Sequence, residues 1–212
     1  MISLSNAVVF GWHSAIMGMR NPMNSWAKSD SVFYDDFSCQ IGQNDLDLMK
    51  ALIKSGTEHR KFLRMIHVQM DIEAPLYWWK EFDTYKVGTV ANSCSTMHKI
   101  GAKEFTLDDF SHEHLDMVSR SCLEDVIHIL NLNRDSFNKN AYDDRKIPWW
   151  QMIQLLPSSY NQLRTVDLNY EVLLNQYFQR KEHKLDEWRI YCEQIKCFPY
   201  LNDFIEVLKN EQ

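Results

Sequence analysis

In the stretch EFDTYKVGTVANSCSTMH, residues 81–98, Cys94 and His98 stand four residues apart. On a helix that spacing puts a thiol and an imidazole on one face, the minimal arrangement of a nucleophile and its base. The same stretch gathers Asn92, Ser93 and Ser95 around the cysteine, so it also reads as a polar cradle for a ligand or as a polar turn between helices. The pairs Trp78-Trp79 and Trp149-Trp150 offer wide flat faces. Such rings fill cores and subunit interfaces, and they also stack on planar heterocycles such as a flavin or a base. Arg180, in LLNQYFQRKEHKLDEW, falls near one helical stripe with Leu173 and Tyr177. Two readings of it are open: the head snorkels into water, or it projects into a cleft where its planar fork suits a uracil carbonyl or a phosphate. His112, His114 and His128 have no Cys or carboxylate spacing that completes a metal-ligand set; exposed helix-start histidines are expected there, and no structural metal. Neither GxGxxG nor GxxxxGK occurs, which sets aside the Rossmann and P-loop nucleotide sites.

These groups need elements to hold them. Residues 1–43 are the least periodic part and predict a short helix followed by an irregular loop around Pro22. Residues 44–55 place Leu46, Met49, Leu52 and Ile53 on one helical face, with Asn44 as N-cap and Gly56 beyond the end. In FLRMIHVQMDI, apolar residues at 62, 66, 68, 70 and 72 alternate with polar ones, which predicts a half-buried strand. Pro75 suits the first turn of the helix that follows. The longest predicted helix carries Leu115, Val118, Cys122, Val126 and Ile129 behind Thr106 or Ser111 as caps. A polar loop over 133–146, a short helix over 148–156 stopped by Pro157, and a helical pattern through Leu173, Leu174, Tyr177, Phe178, Leu185, Trp188, Cys192 and Ile195 complete the chain.

Six Gly and five Pro in 212 residues favour long helices over a many-turned sandwich. The expected fold class is α+β, a mainly helical single domain over 1–212 with a small antiparallel sheet. The net charge of −6, without a basic run, denies a nucleic-acid polymer its electrostatic footprint. Local Arg and Lys still allow a small anion to bind. Cys39, Cys94, Cys122, Cys192 and Cys197 are odd in number and contain no CxxC, which fits a reduced, cytoplasmic chain. No run of 18 apolar residues and no export signal is visible, so no membrane partner is expected.

The order of parts resembles the flavin-dependent thymidylate synthases from about residue 44 to the end, with SAIMGMRNPMNSW a weaker counterpart of their first segment. In that family, Ala-Pro is followed by an Arg-His-Arg motif, two further residues and a Ser, and then by Asn-Glu-x-Ser. After Ala74-Pro75 this chain has Thr84-Tyr85-Lys86 in place of the cationic triplet, and Thr89 for the Ser. With one inserted residue, Asn92 and Ser95 match the second motif while Ser93 replaces its Glu. Leu156-Pro157, Asn169 and Arg180 match further on, Glu187 resembles the acid of the last helix, Ile153 stands for an Arg, and Glu171 stands for another. The resemblance implies reductive methylation of dUMP to dTMP, with FAD as cofactor and methylene-tetrahydrofolate and NADPH as co-substrates. It also implies a homotetramer with sites between subunits. It makes Arg180 catalytic, assigns Tyr85, Lys86, Thr89, Asn92 and Asn169 to the cofactor, and assigns Glu81, Asn92, Ser95 and Arg180 to the deoxyuridine nucleotide. Tyr85, Trp78 or Trp79 can stack where a cation is missing, and Arg20, His59, Arg60, Lys61 and Arg64 are candidates to restore positive charge. Two alternatives stand beside it: a nucleotide-binding or regulatory homo-oligomer of the same fold without flavin chemistry, and an enzyme that uses Cys94 on a modified pyrimidine.

Overall fold

Residues 3–10 show no clean alternation and are mostly exposed, yet they form the strand β1 (Ser3–Phe10) in a segment that the sequence marks only as loop and short helix. The computed structural model describes residues 1–35 and 37–209. Gly11 then turns the chain with φ +92°; the carbonyl of Met65 lies 2.1 Å from where a Cβ would stand, so only glycine fits. Helix α1 (Trp12–Arg20) follows, and a two-stranded antiparallel hairpin joins β2 (Val32–Phe33) to β3 (Cys39–Gln40), with Val32 opposite Gln40.

Helix α2 (Gln43–Lys54) begins one residue before the expected cap. Asn44 does not cap it: the Asp30 carboxylate, from outside the helix, accepts the N–H groups of Asn44 and Asp45 at 3.0 and 3.2 Å. A 3-10 segment, Arg60–Met65, precedes the strand β4 (His67–Pro75), so the predicted alternation is correct but starts later. Next come α3 (Leu76–Phe82), β5 (Thr89–Ser93), α4 (Thr96–Lys99), α5 (Met117–Asn138) and α6 (Lys146–Leu155). Strand β6 (Asn161–Asn169) is missing from the sequence prediction, although Gln162, Val166 and Leu168 alternate as buried residues. Helices α7 (Tyr170–Arg180), α8 (Asp186–Ile195) and α9 (Leu201–Lys209) close the chain. The four longer strands form one small antiparallel sheet in the order β1-β4-β6-β5. Among the described residues no helix is long and apolar enough to cross a membrane.

The chain divides into two units, each with its own core. The first contains Met1–Ser3, Glu73–Asp83 and Asn92–Arg164. Here α5 packs on α6 through Leu123, Ile127, Leu130 and Met152, joined by Ile100, Phe105 and Phe110. The face expected to be buried is the wrong one: Leu115, Val118, Cys122 and Ile129 are exposed. Two apolar stripes lie about one residue apart around this helix, and periodicity cannot choose between them. Thr106 forms a capping box with Asp109, but on a 3-10 turn; the cap of α5 is Asp116, which accepts from Ser119 N at 2.8 Å. The helix also runs to Asn138, through the start of the predicted loop. Trp78, Trp79 and Phe82 are wholly buried, and Trp79 Nε1 donates to the Gln162 carbonyl at 2.9 Å. These rings are therefore core, each contributing roughly 1.5–3 kcal/mol by burial, and not a stacking platform.

The second unit contains Leu4–Ile72, Thr84–Ala91 and the chain from Thr165 onward. Helices α1 and α7 both pack on the Arg60–Met65 segment, and α2 packs on α9. The Arg20–Asp45 pair fastens the irregular loop after α1: Arg20 Nε donates to Asp45 Oδ1 at 2.6 Å, with the two residues 3% and 0% exposed. Asp45 Oδ2 accepts from the hydroxyls of Ser29 and Ser31, both at 2.7 Å, while Arg20 donates to the carbonyls of Ser25 and Lys28. Burial alone would raise the Asp45 carboxyl, but Ser31, Ser29 and Arg20 together hold it below its ordinary value.

Candidate functional site

The turn after α3 and the end of α7 meet at one side chain. Tyr85 Oη accepts from Arg180 Nε at 2.9 Å and donates to Gln179 Oε1 at 2.9 Å. The guanidinium carbon of Arg180 lies 4.9 Å from the ring centroid of Trp188, itself wholly buried on α8, and 5.6 Å from the Tyr85 ring. Tyr85 and Trp188 meet edge to face at 6.0 Å. The arginine is thus half-buried and clamped between two aromatic faces, not trailing along a stripe.

Three residues further along the turn, Gly88 has φ +74°, and a Cβ there would stand 2.7 Å from Asn169 Nδ2. Asn169 is the N-cap of α7: its Oδ1 accepts from Val172 N at 3.1 Å, so its amide group is oriented by the helix start. Thr89 Oγ1 is buried without a hydrogen-bond partner among the described residues. An orphaned buried hydroxyl is a donor and acceptor waiting for a group. Lys86 is exposed on the same turn.

The cations expected to replace the missing triplet are committed elsewhere. Arg20 is held by Asp45, and Arg60 donates through Nε and Nη2 to Glu171 Oε1 at 3.2 and 3.1 Å. Glu171 is 8% exposed, and its Oε2 has no hydrogen-bond partner among the described residues. His59, Lys61 and Arg64 are exposed. Arg20 and Arg60 therefore supply no available charge to the compensating set, because each is neutralised by a buried carboxylate.

The remaining predicted residues lie in the first unit. Glu81 is half-buried on α3 and Asn92 is exposed on β5. Ser95 caps α4, its Oγ accepting from His98 N at 3.1 Å. Cys94 and His98 do not share a helical face: Cys94 precedes α4, with its N–H on the Leu163 carbonyl at 2.9 Å and its own carbonyl accepting from Gln162 Nε2 at 2.8 Å. Cys94, Ser95, Lys99, Lys103 and Tyr160 line a cavity of about 420 Å³. Its ion pair is Lys103 with Asp109, which raises the Lys103 ammonium above its ordinary value, while burial raises the Tyr160 phenol. Trp149 Nε1 donates to the Met97 carbonyl at 3.0 Å, and Trp150 remains exposed. Sequence reasoning missed Arg164, which lies over the Trp79 ring at 4.2 Å and donates to Asp83 and Gln162 at 2.8 and 3.0 Å. The alternation of Gln162, Val166 and Leu168 is the signal that would have placed it on a strand.

No family model matches the sequence, and no curated protein matches it. Solved structures do. Flavin-dependent thymidylate synthase ThyX from Helicobacter pylori, complexed with FAD and dUMP, superposes with a TM-score of 0.65 over 95% of this chain and 97% of that one, at 14% identity. A second structure of ThyX from Helicobacter pylori with FAD and dUMP gives 0.65 over 98% of each chain, at 14% identity. The UMP/dUMP methylase PolB from Streptomyces cacaoi, bound with 5-Br dUMP, gives 0.57 over 92% of this chain and 88% of that one, at 11% identity. The chain has a ThyX-like fold. At such identity the likeness speaks for the scaffold alone, and the chemistry rests on the side chains above. In this chain the turn Thr84–Thr89 brings Tyr85 to Arg180 and Gly88 to Asn169.

Proposed function

We propose that the protein binds a uracil deoxynucleotide and methylates it reductively at the pyrimidine, dUMP to dTMP. The observation that carries this reading is Arg180, fixed by Tyr85 Oη at 2.9 Å and by the Trp188 face. A guanidinium with its orientation set in advance donates to a uracil carbonyl and stabilises the negative charge that develops there as C5 becomes nucleophilic. The resemblance also assigns Asn92, Ser95 and Glu81 to the nucleotide.

The turn fits a flavin by its polar groups: the Thr89 hydroxyl, without a partner among the described residues, the Lys86 ammonium and the oriented Asn169 amide are the residues that would hold it. When bound, reduced FAD relays the one-carbon unit and the hydride, with methylene-tetrahydrofolate as carbon donor and NADPH as reductant. A single-domain chain assembled as a homotetramer in the cytoplasm belongs to the same proposal. A second reading, a nucleotide-binding protein of this fold without flavin chemistry, is favoured by the neutralisation of Arg20 by Asp45 and of Arg60 by Glu171.

The test is a titration of the purified protein with FAD, followed by visible absorbance, beside calorimetry with dUMP. A protein-bound flavin spectrum and dUMP-dependent NADPH oxidation are expected, both with dUMP binding that Arg180→Lys weakens by about tenfold or more. Binding of dUMP without flavin uptake leaves the second reading, and no dUMP binding removes both.

A further inference from the structure

The cavity of about 420 Å³ in the first unit shares no residue with the Tyr85–Arg180 cluster. Of the residues that the resemblance assigns to the nucleotide, Ser95 lines it, while Glu81, Asn92 and Arg180 do not. Its floor is apolar: Phe105 and Ile100 are 4% and 7% exposed, and the Tyr160 ring meets Phe105 edge-on at 6.2 Å. Four charged side chains line it, Glu73, Lys99, Lys103 and Asp109, so the formal charges cancel. Two of the four are committed within the fold. Asp109 Oδ1 accepts from Lys103, and Asp109 Oδ2 accepts from the N–H and hydroxyl of Thr106 at 2.8 and 3.1 Å. The side chains of Lys99 and Glu73 are exposed and have no hydrogen bond or ion pair among the described residues. Burial first, then the Asp109 carboxylate, raises the Tyr160 phenol, with a smaller contribution from Glu73. The hydroxyl therefore stays protonated at neutral pH, in one electrostatic neighbourhood with Glu73. Asn161 also faces the cavity, and its Oδ1 accepts from Ser111 Oγ at 2.9 Å, which fixes the plane of its amide.

We infer that this cavity binds a free α-amino acid with an aromatic side chain, its carboxylate on Lys99 and its ammonium on Glu73. One uncommitted charge of each sign is the complement of a zwitterion. An amine or an acid alone would leave one of the two charges unused. A nucleotide would bring a phosphate to a lining whose charges cancel, and would gain no net attraction there. The Tyr160 hydroxyl and the Asn161 amide add neutral donors for the ligand carboxylate. Phe105 and the Tyr160 ring present aromatic surface to the ligand ring. The volume lies within the roughly 300–1,000 Å³ of small-molecule sites.

The experiment is calorimetry on the intact chain with L-phenylalanine, 2-phenylethylamine and 3-phenylpropionate, repeated for Lys99→Met and Glu73→Gln. Both substituted residues are exposed, so neither variant disturbs the core. Phenylalanine is expected to bind, with each single-charge analogue weaker by about tenfold or more. Lys99→Met should weaken phenylalanine by a similar factor and leave phenylethylamine unchanged. Glu73→Gln should weaken phenylalanine and leave phenylpropionate unchanged. Failure of phenylalanine to bind, equal binding of either analogue, or undiminished phenylalanine affinity in either variant overturns the inference. So does displacement of phenylalanine by dUMP, which would make this cavity the nucleotide site. Phenylalanine binding without dUMP binding supports the cavity and defeats the methylation reading, and dUMP binding that Arg180→Lys weakens, without phenylalanine binding, does the reverse.

Discussion

The ion pair between Arg60 and Glu171 tests whether the charge arrangement at the start of α7 is understood. Glu171 occupies the position where the resemblance expects an arginine, and its partner arrives from the Arg60–Met65 segment. The two side chains are 11% and 10% exposed, so water replaces little of what a lost partner supplied. Oε1 accepts both hydrogen bonds and Oε2 accepts none among the described residues. In Arg60→Met the carboxylate would lose both hydrogen bonds while still buried. Truncating one partner of such a pair costs about 3–5 kcal/mol. Glu171→Met should cost a comparable amount by stranding the guanidinium. The double substitution Arg60→Met with Glu171→Met removes both charges and should recover most of that loss, since well-packed apolar replacements are often neutral. Urea unfolding with an unchanged slope is the assay, read as a double-mutant cycle. Single variants costing less than about 1 kcal/mol, the range of an exposed pair, would refute the reasoning; so would a double variant whose loss equals the sum of the singles.

Two further outcomes follow from geometry already described. Gly88→Ala places a methyl 2.7 Å from Asn169 Nδ2 at φ +74°, whereas Gly56→Ala, at φ +102°, meets nothing within 4 Å; Gly88→Ala should lower stability by about 1 kcal/mol more, through the loosened α7 cap, as measured by urea unfolding of both variants. The Asp45 carboxyl is depressed in the folded chain, so the folded state binds fewer protons; its contribution is present above an unfolded pKa of about 3.9 and is lost as pH falls through the lower folded value. Asp45→Asn should therefore reduce stability at neutral pH and flatten the loss of stability below about pH 4, and an acid limb of unchanged steepness would contradict this.

The strength of the local signal governed what the sequence revealed. Strand β4 was readable because Val68, Met70, Ile72 and Ala74 are all buried on one face. Strand β1 was not, because its residues are mostly exposed and carry no alternation. Helix α5 was found but turned the wrong way, since Leu123, Ile127 and Leu130 and the exposed stripe through Val118 and Ile129 have the same period. At the site, Tyr85 and Arg180 were named separately, but no spacing rule joins residues 95 positions apart. The hydrogen bond between them depends on how the turn after α3 reaches α7.

Long-range partners also decide what each polar residue can do. Arg20 and Arg60 look like available cations in the sequence, yet each is satisfied by a carboxylate that no local pattern announces. Arg180 is oriented by a phenol and an indole face. A buried carboxylate partner spends a guanidinium's charge on the scaffold. Asn169 is oriented as well: one end of its amide closes the helix, and the other meets the Gly88 turn, where a side chain on residue 88 would displace it. Tyr85 and the α7 N-cap thus orient Arg180 and Asn169 through partners distant in the sequence or set by the helix start, and no spacing rule announces that orientation.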